Sequence, residues 1–186
     1  MDLDEAILGR RSVRDYTERV PDEAMVGRII RAAVNAPSAR NVQPWRFTVV
    51  RDRALLDRLN AEAKLYLLAH IAPGPGAEER RTRMSDPQTH LLHHAPALVL
   101  IGAAMRDRWN TEDCALAAQN LMLAAHAEGL STCWIGNVQD YLNTPAGKAL
   151  LGLPEECVPV APIIVGYPAA TPALVPRHDP EIRWVG

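Results

Sequence analysis

Cysteine, aromatic residues and excess charge are all scarce in this chain, and long apolar runs are missing. Only Cys114, Cys133 and Cys157 occur among 186 residues. Their odd number, wide spacing and apolar neighbours exclude a disulfide framework and a C-x-x-C motif, and point to reduced thiols in a cytoplasmic protein. A formal charge of −2 removes the basic field expected of a nucleic-acid or anionic-membrane binder. No stretch reaches the roughly 18 apolar residues of a membrane span, and Met1-Asp2-Leu3-Asp4-Glu5 is acidic where a secretory leader is basic. The sequence contains no G-x-S-x-G, no H-E-x-x-H and no G-x-x-x-x-G-K-[ST], and Gly74-Pro75-Gly76 lacks the strand and third glycine of a dinucleotide fold. Hydrolysis, zinc chemistry and nucleotide triphosphates lose their support, and the expected partner is a small molecule.

What is present suffices for one domain, residues 1–186, which buries roughly 70% of its unfolded surface without a cross-link or metal. Residues 2–9 read as a short helix with Leu3, Ile7 and Leu8 facing inward. Residues 21–36 read as a longer one, where Met25, Val26, Ile29, Ile30 and Ala33 recur at helical spacing until Pro37 stops the pattern. Residues 47–50 form a strand and 53–70 a helix carrying Leu55, Leu56, Leu59 and Leu67. Residues 72–94 open with Pro73-Gly74-Pro75-Gly76 and carry a charged run, which predicts an irregular excursion able to move or cover a pocket.

Residues 97–101 read as a buried strand. Residues 110–128 read as a helix closed by Gly129, apolar on nearly every face and therefore expected to be buried all round, with alanines that admit a second helix closely. A strand over 131–135, a helix capped by Thr144-Pro145, and a strand over 158–165 follow. Pro159 and Pro162 place that last strand at an edge or on a bulge. The tail from Gly166 is rich in proline yet ends in Ile182, Trp184 and Val185, a composition suited to wrapping over a neighbour.

Two segments carry chemistry. Arg10-Arg11-Ser12-Val13-Arg14 gathers three guanidinium groups at a helix end, and residues 37–45, Pro-Ser-Ala-Arg-Asn-Val-Gln-Pro-Trp, form a turn of small and amide side chains leading into a strand. Cations beside amides suit a phosphorylated ligand with a planar, hydrogen-bonding ring. Each segment alone has a plainer reading, as solvated cations completing a helix C-terminus and as an ordinary turn. His90, His93 and His94 have metal-ligand spacing. With Asp86 alone close by and no cluster of carboxylates or thiols to back them, they read as surface or packing histidines, and no metal is expected.

Together with His94-Ala95-Pro96, residues 113–121, residues 129–136 and Gly166-Tyr167-Pro168, these segments resemble the nitroreductase family of flavin enzymes over nearly the whole chain. The resemblance implies an α+β fold, with a central mostly antiparallel sheet flanked by helices in three layers. It also implies an intertwined homodimer holding FMN at its interface. Carried over residue by residue, Arg10, Arg11, Ser12 and Arg14 would hold the phosphate, ribityl chain and the ring side near N1. Pro37, Ser38, Asn41 and Gln43 would face the ring, with Asn41 towards N5 and O4. Trp134, Ile135 and Gly136 would bring main-chain amides near N5, and Arg177 would reach the phosphate from the tail. His178 stands at the spacing nearest the family's basic residue, which is a departure from its pattern. Trp45, Tyr66 and Trp109 are candidates for the substrate side, although core packing accounts for each.

The implied activity is ping-pong hydride transfer from NADH or NADPH through flavin to a nitroaromatic, quinone or similar electrophilic acceptor, with no catalytic protein nucleophile. Two alternatives stand beside it. One is the flavin-fragmenting branch that makes dimethylbenzimidazole, which has Asp where this chain has Ser12. The other is a flavin-binding protein without turnover.

Overall fold

In a computed structural model that describes residues 1–186, the elements are α1 (Leu3–Gly9), α2 (Glu23–Ala33), β1 (Trp45–Val50), α3 (Arg53–Ala69), α4 (Ala77–Ser85), β2 (Ala97–Ala103), α5 (Asn110–Ala127), β3 (Ser131–Trp134), α6 (Gln139–Leu142), α7 (Pro145–Leu150) and β4 (Val158–Gly166). The strands form one antiparallel sheet in the order β1-β2-β4-β3. Every residue of β2 is buried, and its alternating side chains divide the interior in two. Val99, Ile101 and Ala103 pack with α2 and α5, while Leu98 and Leu100 pack with α3 and the α6 region. The expected three-layer α+β architecture is what the chain adopts.

The helices begin where short polar side chains can satisfy free amides. Asp2, Asp22, Asp52 and Thr144 each accept a main-chain N–H in the first turn that they cap, and such caps contribute about 1 kcal/mol apiece.

Four expectations are corrected. Leu3, Ile7 and Leu8 do not face inward: they are exposed, and only Ala6 of α1 is buried. Residues 72–94 are not wholly irregular, because α4 forms within them. Met84 is buried, and Arg81 donates to the carbonyls of Leu68 at 3.4 Å and Ile71 at 2.7 Å. β4 is not an edge strand, since β2 and β3 flank it. β3 pairs only with Ile163–Gly166, however, so both prolines lie beyond the β3 ladder, and opposite them the β2 register shifts between Ile101 and Gly102. The bulge alternative was the correct one. Finally, α5 is buried on one side only within the chain: Cys114, Ala117, Ala118, Leu121 and Ala125 are covered, while Leu116 is 45% exposed.

Candidate functional site

β3 positions the first motif. Ser12 bridges Thr132, and the Val13 N–H donates to the Thr132 carbonyl at 3.0 Å, so residues 12–16 run beside the sheet edge until Tyr16 bridges Pro168. Gly166 makes this approach possible, because a Cβ there would lie 2.7 Å from Pro96 Cδ and 2.8 Å from Tyr16 Cδ1. Arg11 turns back over the end of α1, and its Nη1 donates to the carbonyls of Leu8 at 2.6 Å and Arg10 at 2.8 Å. Those bonds satisfy acceptors that the helix end leaves open. The Arg11 Nε is buried and has no partner.

Arg177 comes in from the tail and joins Arg11, Ser12 and Arg14 around a cleft of about 560 Å³. Burial lowers the proton affinity of Arg10, and the charges of Arg177 and Arg11 lower it further. No carboxylate offsets this crowding. Arg28, Arg40, Arg51, Arg53 and Arg58 each form an ion pair, whereas Arg10, Arg11, Arg14 and Arg177 form none. Asp15 lines the cleft without pairing to any of them. Two histidines feel the same field. Burial and then Arg10 and Arg11 hold His126 below the usual imidazole range, and burial and then Arg14 do so for His93. Such uncompensated positive charge is a site for an anion.

The second motif is built at the other end of α5. Asp113, buried in the first turn of that helix, accepts the Ala39 N–H at 2.9 Å through its carboxylate, and its carbonyl accepts the Trp45 indole N–H at 3.0 Å. Ser38 Oγ accepts the Gln43 N–H at 2.9 Å, and Gln43 Nε2 donates to Asn41 Oδ1 at 2.9 Å. Arg40, Asn41 and Gln43 have φ of 53°, 56° and 52°. A left-handed backbone at three non-glycine residues is costly and persists only where surroundings enforce it. Ser38, Arg40, Asp107, Arg108, Trp109 and Leu116 surround a second cleft of about 720 Å³, where the Arg108 guanidinium lies 4.2 Å from the Trp109 ring centre.

Of the three aromatic candidates, only Trp109 lines one of these two clefts. Trp45 belongs to the core, and Tyr66 stacks on His70 at 4.0 Å along α3. Trp134, Ile135 and Gly136 line neither cleft. The Ile135 N–H donates to the Pro162 carbonyl at 2.8 Å, and nothing approaches the Cβ position of Gly136 within 4 Å, which leaves that main chain open to an incoming group. The roles of Asp113 as the anchor of the 37–43 turn, and of Arg40, Arg108 and His126, are not marked by any motif in the sequence. An acid in the first turn of α5 was the available signal for Asp113. The others depended on tertiary placement.

The two motifs do not meet within one chain. Trp45 pairs with Ala103 at one end of the β1 edge, while Thr132 pairs with Val165, near Ala97, at the other end of the β3 edge. They occupy diagonally opposite corners of the sheet. Asp113 beside the 37–43 turn and His126 beside Arg10 mark the same separation, about 20 Å along α5 at ~1.5 Å per residue.

The sequence profile of the nitroreductase family matches residues 7–167. An oxygen-insensitive NADPH nitroreductase of Salmonella typhimurium is 30% identical over 181 residues, covering 96% of this chain and 70% of that protein. A 5,6-dimethylbenzimidazole synthase of Rhodospirillum rubrum is 30% identical over 185 residues, covering 89% and 82%. Among solved structures, a nitroreductase from Bacteroides fragilis with bound FMN superimposes with a TM-score of 0.83 at 29% identity, with all of each chain covered.

Proposed function

The chain belongs to the nitroreductase family, and we propose that it is an FMN-dependent oxidoreductase that passes hydride from NADH or NADPH to a nitroaromatic, quinone or similar electrophilic acceptor by ping-pong exchange. The observation that carries this reading is the set of three guanidinium groups, Arg11, Arg14 and Arg177, around the cleft at Ser12, with Arg10 within the field of Arg177 and Arg11 and none of the four in an ion pair. These residues fit FMN. The orphaned Arg11 Nε and the mutual crowding of Arg10 and Arg177 are relieved by a phosphate dianion, and guanidinium forks match phosphate geometry. The cleft position of Arg177 favours it over His178 as the tail's contribution.

A homodimer completes the site. The 37–43 turn supplies the amides and hydroxyl for a planar ring edge, but it lies about 20 Å from the arginines of its own chain. A two-fold axis across the open face of α5, midway between Asp113 and His126, sets a second α5 antiparallel to the first and brings the partner's turn beside these arginines. An isologous contact forms two such sites at once. Exposed Leu3, Ile7, Leu8 and Leu174 supply apolar surface for the contact.

Bound FMN supplies the atom that receives and donates hydride, which is why no triad is needed. The residues of this chain bind, orient and bias. Arg10, Arg11 and Arg177 anchor the phosphate. Arg14 and the open main chain at Gly136 set charge and hydrogen bonds beside the ring. Trp109 and Arg108 offer a flat, cationic wall to an aromatic acceptor.

Initial rates of NAD(P)H consumption, measured while donor and acceptor are varied together, test the reading. Parallel double-reciprocal lines are expected. Benzimidazole formation under oxygen would assign the chain to the flavin-fragmenting branch instead, and bound flavin without turnover would make it a binding protein.

A further inference from the structure

The connection between α4 and β2 folds back onto the first turns of α3 and there assembles a second cluster of donor groups. Asp57, His90 and His94 each present one metal-ligating atom, and the three atoms lie within 4.8 Å of one another. The His90 and His94 rings lie tilted by 38° with centres 3.9 Å apart. His90 Nε2 is buried, lies 3.5 Å from Asp57 Oδ1 and makes no hydrogen bond. His93 and His94 adopt φ of 50° and 53°, so a left-handed backbone at two non-glycine residues is what turns the chain back here. Near these histidines the sequence offers only Asp86, and the fold supplies Asp57 from 33 residues upstream of His90.

We propose that Asp57, His90 and His94 bind one divalent transition-metal ion, of which zinc is the representative case. Two imidazoles and a carboxylate suit a borderline-soft cation, and three protein ligands leave a coordination position for water. Metal–ligand bonds of about 2.0–2.2 Å bring tetrahedral donors to ~3.3–3.6 Å separation, so the three groups need to close by about 1 Å. Asp57 and His94 are exposed and free to make that adjustment.

Two features set against binding limit its strength. Arg53 Nη1 lies 4.0 Å from Asp57 Oδ1 and shares that carboxylate with the incoming cation, although both of its Nη atoms also donate to the His94 carbonyl and so brace the loop. The His94 N–H contacts His90 Nδ1 at 3.3 Å. That contact is long, and it is given up when a metal occupies Nε2 and the ring proton moves to Nδ1. The bound ion ties residues 90–94 to α3, and it does so independently of any flavin.

Calorimetric titration of the metal-stripped, full-length protein with zinc chloride tests the site. One ion per chain is expected, together with a rise in melting temperature. His94→Ala, at an exposed position, is expected to weaken zinc binding at least tenfold and abolish the melting shift. Asp57→Asn is expected to weaken binding, and His178→Ala in the tail to change nothing. No saturable binding to the parent protein would overturn the proposal, as would parent-like affinity in a folded His94→Ala variant. Because the readout is zinc affinity, it stands or falls separately from the flavin assignment.

Discussion

Asp113 holds the Ala39 amide at 2.9 Å from the first turn of α5, so the helix that fills the core also fixes the turn bearing Ser38 and Asn41. Asp113→Ala leaves that N–H without its acceptor and removes a buried group, at an expected cost of about 1–3 kcal/mol in urea unfolding. Flavin retention is expected to fall with it. Asp113→Asn keeps an acceptor oxygen and is expected to recover part of both.

Arg177 is the tail's contribution to the arginine cleft. Arg177→Ala is expected to weaken FMN binding by about tenfold to a hundredfold, the worth of one charge-assisted contact of ~1.5–3 kcal/mol. His178→Ala is expected to leave it unchanged. Fluorescence titration of flavin into the stripped protein distinguishes the two, and the opposite ranking would assign the phosphate contact to His178.

Gly166 leaves no room for a side chain, since an added Cβ meets Pro96 and Tyr16 at under 3 Å. Gly166→Ala is expected to destabilise the fold by about 1–3 kcal/mol through overpacking. It is also expected to lower FMN affinity, because Tyr16 donates to the Val13 carbonyl at 2.6 Å and so links Gly166 to the arginine segment. Thermal unfolding and flavin titration read the two effects.

Leu116 is 45% exposed on α5. Leu116→Glu sets a charge on the face assigned to the two-fold contact, and light scattering is expected to show monomers with poor flavin retention. A dimer that persists with full flavin content would place the interface elsewhere.

His90, His93 and His126 all have proton affinities depressed in the folded chain, with burial the largest cause. The unfolded imidazoles, near 6.5, take up protons where the folded ones do not. Stability is therefore retained above about pH 6.5 and falls as pH drops through and below that value. Urea midpoints between about pH 7.5 and about pH 5.5 check the sign. His126→Gln is expected to shrink the fall, and an undiminished fall would mean that other groups cause it.

Much of this was legible in the residues. Met25, Val26, Ile29 and Ala33 announced α2 through helical spacing, and Thr144-Pro145 announced α7 through its cap. The arginine-rich segment stood out by its charge, while the antiparallel sheet and the assignment of each arginine to FMN came from the family resemblance. α1 misled, because Leu3, Ile7 and Leu8 have a core-facing pattern yet face outward in the single chain, and an apolar stripe does not say whether its own chain covers it. The apolar surface of α5 misled for the same reason. The helix within residues 72–94 was hidden by flanking glycine and proline and by its charged surface, since only Met84 of α4 is buried. Asp57 joins His90 and His94 only through tertiary folding, which local spacing cannot reveal.

Titration of the flavin-stripped protein with FMN, followed by its visible spectrum and by light scattering, tests the central claim most directly. One FMN per chain, two per dimer, with a yellow complex that bleaches anaerobically on adding NADH or NADPH, is the predicted result. A protein that stays colourless with no measurable affinity for FMN would contradict it.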